Sequence, residues 1–301
     1  MSSIPSRRLD PILACYLHAS SQKATVETRF AHRLSICDTW AIPQELKLLD
    51  IGCGQGESTL VLAEAVGSTG SITGVDSAPP DYGGPYTVGQ AQAHILASAL
   101  GHRITFECAD TTQWLQERKR TFPKSSSIAP SCSEQASALS WTSAADARLG
   151  ELNTIEFDGA VFCHSLWYFP STSAVRELLE TLAAANVSRV HVAEWSGQAR
   201  TAAQEPHALA AEAEMKLYSL RSAHYVPRLD EQNMRGGALL PDDLVALAGQ
   251  AGWSVAGRGL VSTPLAMRDG YWEAQYVLRG RFEDDVDAAV KDATAKLLEK
   301  H

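Results

Sequence analysis

The segment Leu48-Leu49-Asp50-Ile51-Gly52-Cys53-Gly54-Gln55-Gly56 narrows most what this chain can fold into. An apolar run with strand character passes into glycines that alternate with other residues, and such glycines let a backbone turn tightly and approach a ligand closely. Ser58 to Ala65 then reads as a helix, so the loop opens onto a helix N-terminus. Strand, glycine turn and helix in that order predict a nucleotide-type ligand site in an α/β sheet. A dinucleotide is disfavoured, because its pattern needs a third glycine where this chain has Glu57 or Thr59. Asp50 at the strand end and Glu57 past the loop would repel a pyrophosphate, but they suit a ligand carrying an ammonium and a sulfonium. No Gly-Lys-Ser/Thr follows the loop, which excludes a P-loop.

Two further acid-ended strands follow. Gly70-Ser71-Ile72-Thr73-Gly74-Val75-Asp76 places an acid about twenty residues past the glycine loop, where a carboxylate can take both ribose hydroxyls. Arg103-Ile104-Thr105-Phe106-Glu107-Cys108-Ala109-Asp110 is a half-apolar strand ending in another acid. With Asp-Ile-Gly-Cys-Gly-Gln-Gly, this set resembles the class I S-adenosylmethionine-dependent methyltransferases. The resemblance implies a Rossmann-like, doubly wound α/β fold, with a seven-stranded, mostly parallel sheet and helices on both faces. It implies S-adenosyl-L-methionine as cofactor, held by Asp50, Gly52, Cys53, Gly54, Gly56, Asp76, Ser77, Asp110, Thr111, Cys163 and His164, with Asp110 at the adenine amino group. The loop Pro79-Pro80-Asp81-Tyr82-Gly83-Gly84-Pro85-Tyr86 and the run Phe162-Cys163-His164-Ser165-Leu166-Trp167-Tyr168-Phe169 are similar to a group of fungal small-molecule methyltransferases.

Composition bounds the partners. The net charge is −9 and Arg118-Lys119-Arg120 is the one basic run; a nucleic-acid enzyme needs a broader basic face, so no nucleic-acid partner is expected. No run of about 18 apolar residues reads as a membrane span. The six cysteines form no CxxC pair and no metal spacing, which suits a reducing compartment and predicts no metal. Arg7-Arg8 followed by Pro11 to Ala19 loosely suggests a signal peptide, but Asp10 interrupts it and the apolar stretch is short. A cytoplasmic enzyme, monomeric or homodimeric, is expected.

Along the chain the pattern alternates strand and helix, as in a parallel sheet covered on both faces. Strands are expected near 46–51, 71–76, 103–107, 157–163, 189–194, 254–261 and 271–279, and helices near 58–66, 87–100, 172–185 and 242–251. Residues 1–301 read as a single domain, with an N-terminal helical cover at 10–38. The Ser-rich stretch 118–152 reads as a mobile surface insertion, because it holds little apolar area to offset its ordering entropy. A lid with Leu139 and Trp141 as its apolar contacts is the alternative. Residues 198–237 read as an acceptor-side insertion. Near the C-terminus Val286, Val290, Ala293 and Leu297 fall at helical spacing and predict an amphipathic helix.

Methyltransferases acting on base amines or on glutamine commonly carry an Asn/Asp-Pro-Pro-Tyr/Phe tetrapeptide after the fourth strand. Here that place holds His164-Ser165-Leu166-Trp167. A planar-amine acceptor is therefore disfavoured, and aromatic surfaces from Tyr82, Tyr86, Trp167, Tyr168 and Trp195 suit a small organic acceptor. His164 and Glu194 are the candidate catalytic groups, His164 as a base toward an acceptor hydroxyl or amine. Each also has a bland alternative, a strand-end histidine bonded to backbone and a loop-capping carboxylate. Three functions stay open: methyl transfer to an O or N atom of a small metabolite, read as a step of secondary metabolism; a cofactor-binding scaffold that catalyses a cyclisation or only binds; and a binding or regulatory partner of another protein.

Overall fold

The computed structural model describes residues 6–121, 140–143, 157–221, 234 and 239–298. Helices α1 (Ser6–Leu13) and α2 (Lys23–Trp40) precede strand β1 (Lys47–Ile51) and helix α3 (Glu57–Ala65). Strand β2 (Ser71–Asp76), helix α4 (Val88–Leu96), strand β3 (Ile104–Cys108) and helix α5 (Thr111–Thr121) continue the alternation. The four-residue β4 (Ser140–Ser143) comes next, then β5 (Gly159–Cys163), α6 (Thr172–Ala184) and β6 (Arg189–Ala193). Helices α7 (Glu205–Leu220) and α8 (Pro241–Gln250), strand β7 (Trp253–Gly257), α9 (Tyr271–Val277) and α10 (Gly280–Leu298) complete the chain.

Five strands pair in parallel in the order β3-β2-β1-β5-β6. The order reverses between β1 and β5, so the crevice where such sheets bind ligands opens over the ends of these two strands. Beyond β6 the strands are not the ones expected. The segment 271–279, read as a strand from its aromatic and β-branched residues, is instead α9, whose Glu273 and Tyr276 are buried at helical spacing. The position next to β6 is taken by β4, antiparallel to both β6 and β7. The Ser-rich stretch thus supplies a pairing strand, and its first residues, Arg118 to Thr121, belong to α5. Leu139 lies outside the described residues.

Strand alternation divides the core into two layers. Leu49, Ile51, Ala160, Phe162, Val190 and Val192 pack against Leu115 of α5, Val175, Leu178 and Leu182 of α6, and Leu244 and Leu247 of α8. Leu48, Val161 and Cys163 face the other way, against Leu60 and Leu62 of α3, Ile95 of α4, and Phe30, Leu34, Cys37 and Trp40 of α2. Each fully buried Leu, Ile or Phe contributes roughly 1.5–3 kcal/mol by leaving water, so α1 and α2 are part of the core layer. Arg8 of α1 is fixed there by Asp38 of α2 and Glu64 of α3.

The C-terminal helix packs on a different stripe from the one expected. Phe282, Val286 and Ala289 of α10 meet Leu217 of α7 and Tyr276 of α9. Val290 is 46% exposed, because the seam follows the i, i+4, i+7 row through Phe282.

Candidate active site

The sheet brings Asp50, the glycine loop, Asp76, Asp110, Cys163 and His164 to the carboxyl ends of the adjacent strands β3, β2, β1 and β5. Gly52, Gly54 and Gly56 all have positive φ, +72°, +50° and +88°. They differ in what surrounds them. A Cβ on Gly52 would lie 2.6 Å from Ser165 Cβ, and one on Gly56 would lie 2.6 Å from Ile95 Cδ1. Gly54 has nothing within 4 Å of that position. Two of the glycines are thus demanded by packing, and the third faces open space.

Asp50 is fully buried. Its Oδ2 accepts from Ser58 Oγ at 2.8 Å and Thr59 Oγ1 at 2.6 Å, while Oδ1 is closed off with no partner. Burial pushes its carboxyl up to about 6, against the pull of the Thr59 and Ser58 hydroxyls. Asp76 accepts from the backbone N–H of Gly54 at 2.7 Å and of Ala78 at 2.8 Å, which pins the glycine loop to the end of β2. Asp110 is exposed and caps α5 by accepting from Gln113 N at 2.9 Å. Ser77 is exposed and Thr111 buried. Cys53 and Cys163 are buried thiols that burial pushes up, so neither is a thiolate.

The loop between β2 and α4 is tied to the glycine loop, not to the acceptor side. Gln55 Nε2 donates to Tyr86 O at 2.6 Å, and Gln92 Nε2 donates to Gly54 O at 2.9 Å. Tyr82 and Tyr86, expected in a substrate pocket, stand here. Neither is among the residues lining the large cleft beyond β5 and β6.

That cleft has a volume of about 1150 Å³. His32 and Trp40 of α2 line it, with His164, Trp167, Glu194 and Trp195 after β5 and β6, His207 of α7, and the 258–271 segment. Of the expected pocket residues, Trp167 and Trp195 are in its wall. Tyr168 is not, because its hydroxyl donates to Glu273 of α9 at 3.0 Å.

His164 stands where cofactor loop and cleft meet. Its φ is +57°, its N–H donates to Ala193 O at 2.8 Å, and the next residue, Ser165, packs on Gly52 and donates to Ile51 O at 2.7 Å. The imidazole lies 4.1 Å from the Trp195 indole and 18° from parallel, with the His32 ring 5.5 Å away. Neither ring nitrogen of His164 has a hydrogen-bond partner. Burial, then the charge of Arg33, push its imidazole down to about 3. Glu194, by contrast, accepts from Leu166 N at 2.9 Å and Trp195 N at 3.0 Å, and burial pushes it up to about 7.

The comparisons with known proteins fit this geometry. No protein-family model matches the sequence. A solved structure, a cyclopropane-fatty-acyl-phospholipid synthase-like protein from Lactobacillus casei ATCC 334, aligns with TM-score 0.69 at 30% identity, over 96% of this chain and 94% of that one. The methyltransferases phomM and phomM′ of Diaporthe leptostromiformis are each 35% identical over 264 residues, 82% of this chain. The chain is thus similar in sequence to methyltransferases over most of its length. It spans 62% of the length of the two Diaporthe methyltransferases it matches.

The residues present fit S-adenosylmethionine as cofactor. Open space at Gly54, an unpartnered carboxylate oxygen on Asp50 and a second carboxylate at the end of β2 suit a ligand with hydroxyl and ammonium donors and no phosphate. Residues of α2 are the part that motif reasoning missed. Glu57, just past the loop, lies 2.8 Å from Arg29 Nη2 and 2.9 Å from Arg33 Nη2, with the Tyr16 hydroxyl 3.0 Å from its Oε1. Burial alone would raise its carboxyl, but the Arg33 and Arg29 guanidinia hold it below the usual carboxylate range. Helix α2 also supplies His32, buried beside His164 and pushed down to about 3 by burial. The i, i+4 spacing of Arg29 and Arg33 was the available signal, since it puts both cations on one helix face.

Proposed function

We propose that the protein transfers the methyl group of S-adenosylmethionine to an oxygen or nitrogen atom of a small organic metabolite, as a step of secondary metabolism. The carrying observation is the position of His164. Through Ser165 it abuts the glycine loop on one side, and on the other it lines an aromatic cleft large enough for a small molecule. The net charge of −9 supports a small-molecule acceptor over a nucleic acid.

In this reading Asp76 holds the ribose hydroxyls, Asp110 the adenine amino group and the glycine loop the cofactor's backbone-facing side. The bound cofactor supplies an electrophilic methyl on a sulfonium, with a neutral leaving group. What the chain adds is alignment, and holding two reactants in line contributes about 7–11 kcal/mol. Trp167, Trp195 and the His32 ring would grip the acceptor and exclude water. Both ring nitrogens of His164 lack a hydrogen-bond partner, so one is open to a proton from an acceptor hydroxyl or amine. Glu194 Oε1, 3.7 Å from His164 Nδ1, would orient that ring and stabilise it once protonated.

The test is incubation of the full chain with a metabolite extract and methyl-labelled S-adenosylmethionine, read by mass spectrometry. A labelled product that disappears with Asp76→Ala is expected. Cofactor binding by calorimetry with no labelled product from any extract would leave only the scaffold function.

A further inference from the structure

Residues at the crevice between β1 and β5 complement the amino-acid end of the cofactor, and this inference rests on S-adenosylmethionine being bound. The ribose position at Asp76 and the cleft beyond His164 fix the two ends of the path a bound cofactor must take. Its amino-acid end then lies over the ends of β1 and β5, where the strand order reverses. That end carries an ammonium and a carboxylate on one carbon, so it needs an acceptor and a cationic donor close together.

Both are present and incompletely used. Asp50 Oδ1 is buried and accepts no hydrogen bond. Arg33 Nη2 is engaged by Glu57 at 2.9 Å, but Nη1 makes no hydrogen bond, its nearest carboxylate being Asp269 Oδ2 at 3.6 Å. Arg33 stands close enough to Asp50, Cys163 and His164 to act on the ionisation of each. The neighbouring charges are Glu57, Asp269, Asp76 and Arg29, and Arg29 shares Glu57 with Arg33. Two guanidinia thus share one close carboxylate, and a buried guanidinium with an unused donor calls for an anion.

We propose that Arg33 is the carboxylate anchor of the cofactor site, with Asp50 receiving the ammonium on the same carbon. On binding, Arg33 Nη1 exchanges its loose attraction to Asp269 for a charge-assisted hydrogen bond to the ligand. The first two helices thereby recognise the cofactor directly, and a nucleoside lacking the carboxylate is discriminated against at this point.

The experiment is calorimetry on the full chain with S-adenosylmethionine and with decarboxylated S-adenosylmethionine, which differs by that carboxylate alone. Wild type is expected to favour the intact cofactor by about tenfold or more, the size of one charge-assisted hydrogen bond. In Arg33→Gln the preference should fall to within about threefold, through weaker binding of the intact cofactor only. Arg33→Lys, which keeps the charge and loses the planar fork, should fall between. Equal affinity of wild type for both ligands, or a preference unchanged in both variants, overturns the proposal. Equal loss of both ligands in both variants also overturns it, since it makes Arg33 a purely structural partner of Glu57. Absence of any binding of the intact cofactor to wild type is a different result, and it removes the cofactor reading itself.

Discussion

Nδ1 of His164 and Oε1 of Glu194 lie 3.7 Å apart, and burial drives the two groups in opposite directions. The imidazole is pushed down to about 3 and the carboxyl up to about 7, so at neutral pH the imidazole is uncharged and the carboxyl about half ionised. The folded state therefore holds a proton on Glu194 that the unfolded chain releases between pH 4.5 and about 7. Stability from this group is present below the unfolded value and is lost as pH rises through the folded one. Glu194→Gln removes that loss. Its amide also faces the N–H groups of Leu166 and Trp195 with one acceptor oxygen instead of two, a cost fixed at every pH. Relative to wild type, the variant should gain about 3 kcal/mol of unfolding free energy between pH 4 and pH 8. Urea denaturation at the two pH values checks it, and a pH-independent difference would refute the buried, protonated carboxyl.

The glycine loop predicts two different outcomes from one kind of substitution. Gly54→Ala places a methyl in open space at φ +50°, so the protein should fold with a cost of about 1–2 kcal/mol from the left-handed backbone. Cofactor affinity should nevertheless collapse, because that methyl occupies the space the ligand needs. Gly52→Ala and Gly56→Ala drive a Cβ to 2.6 Å from Ser165 Cβ and Ile95 Cδ1, and these should be lost as folded protein. Thermal melts paired with calorimetry separate the cases; unimpaired binding by folded Gly54→Ala would show that the cofactor lies elsewhere.

Under the proposed function, Asp76 joins loop geometry to ligand binding through one carboxylate. It already accepts from Gly54 N and Ala78 N, and its remaining lone pairs are the ones available to two ribose hydroxyls. Asp76→Asn retains one acceptor oxygen and loses the charge. Hydrogen bonds to charged groups are worth about 1.5–3 kcal/mol, so a tenfold to hundredfold weaker Kd is expected, with a small change in Tm. Wild-type affinity in the variant would remove Asp76 from the site.

Local chemistry explains what the sequence made legible. Glycine turns and strand-end acids are short-range signals, so β1, β2, β3 and the loop after β1 are written in consecutive residues. The segment Tyr271–Val277 was misread because Tyr, Trp and Val fit a pleated surface, and only packing on α7 and α10 decides for a helix. The pairing of Ser140–Ser143 with β6 and β7 is likewise tertiary, with partners far along the chain. Arg29 and Arg33 were silent for the same reason. Their meaning appears once Glu57 stands 2.8–2.9 Å away. Tyr82 and Tyr86 show the converse: closeness to Asp76 in sequence suggested the acceptor side, whereas the loop that carries them is tied to the glycine loop and neither lines the large cleft.

His191 gives a pH dependence of opposite sign to that of Glu194. It lies on β6 opposite Val161, is 2% exposed, and has no partner on either ring nitrogen; its nearest aromatic neighbour is Trp40 at 5.7 Å. Burial, then Arg189, push its imidazole down to about 4. The unfolded chain takes up the proton near pH 6.5 and the folded chain does not until about pH 4. Stability is therefore complete above the unfolded value and is lost as pH falls toward the folded one, by about 2 kcal/mol at pH 5. His191→Leu has no proton to take up and leaves no unpaired ring nitrogen buried. The variant should match or exceed wild type at pH 7.5 and exceed it by about 2 kcal/mol more at pH 5, with His32 and His164 still lowering both proteins on the acid side. Parallel urea titrations at the two pH values decide the matter. A stability gap that does not widen on acidification would mean that His191 finds a proton-accepting partner in the folded state.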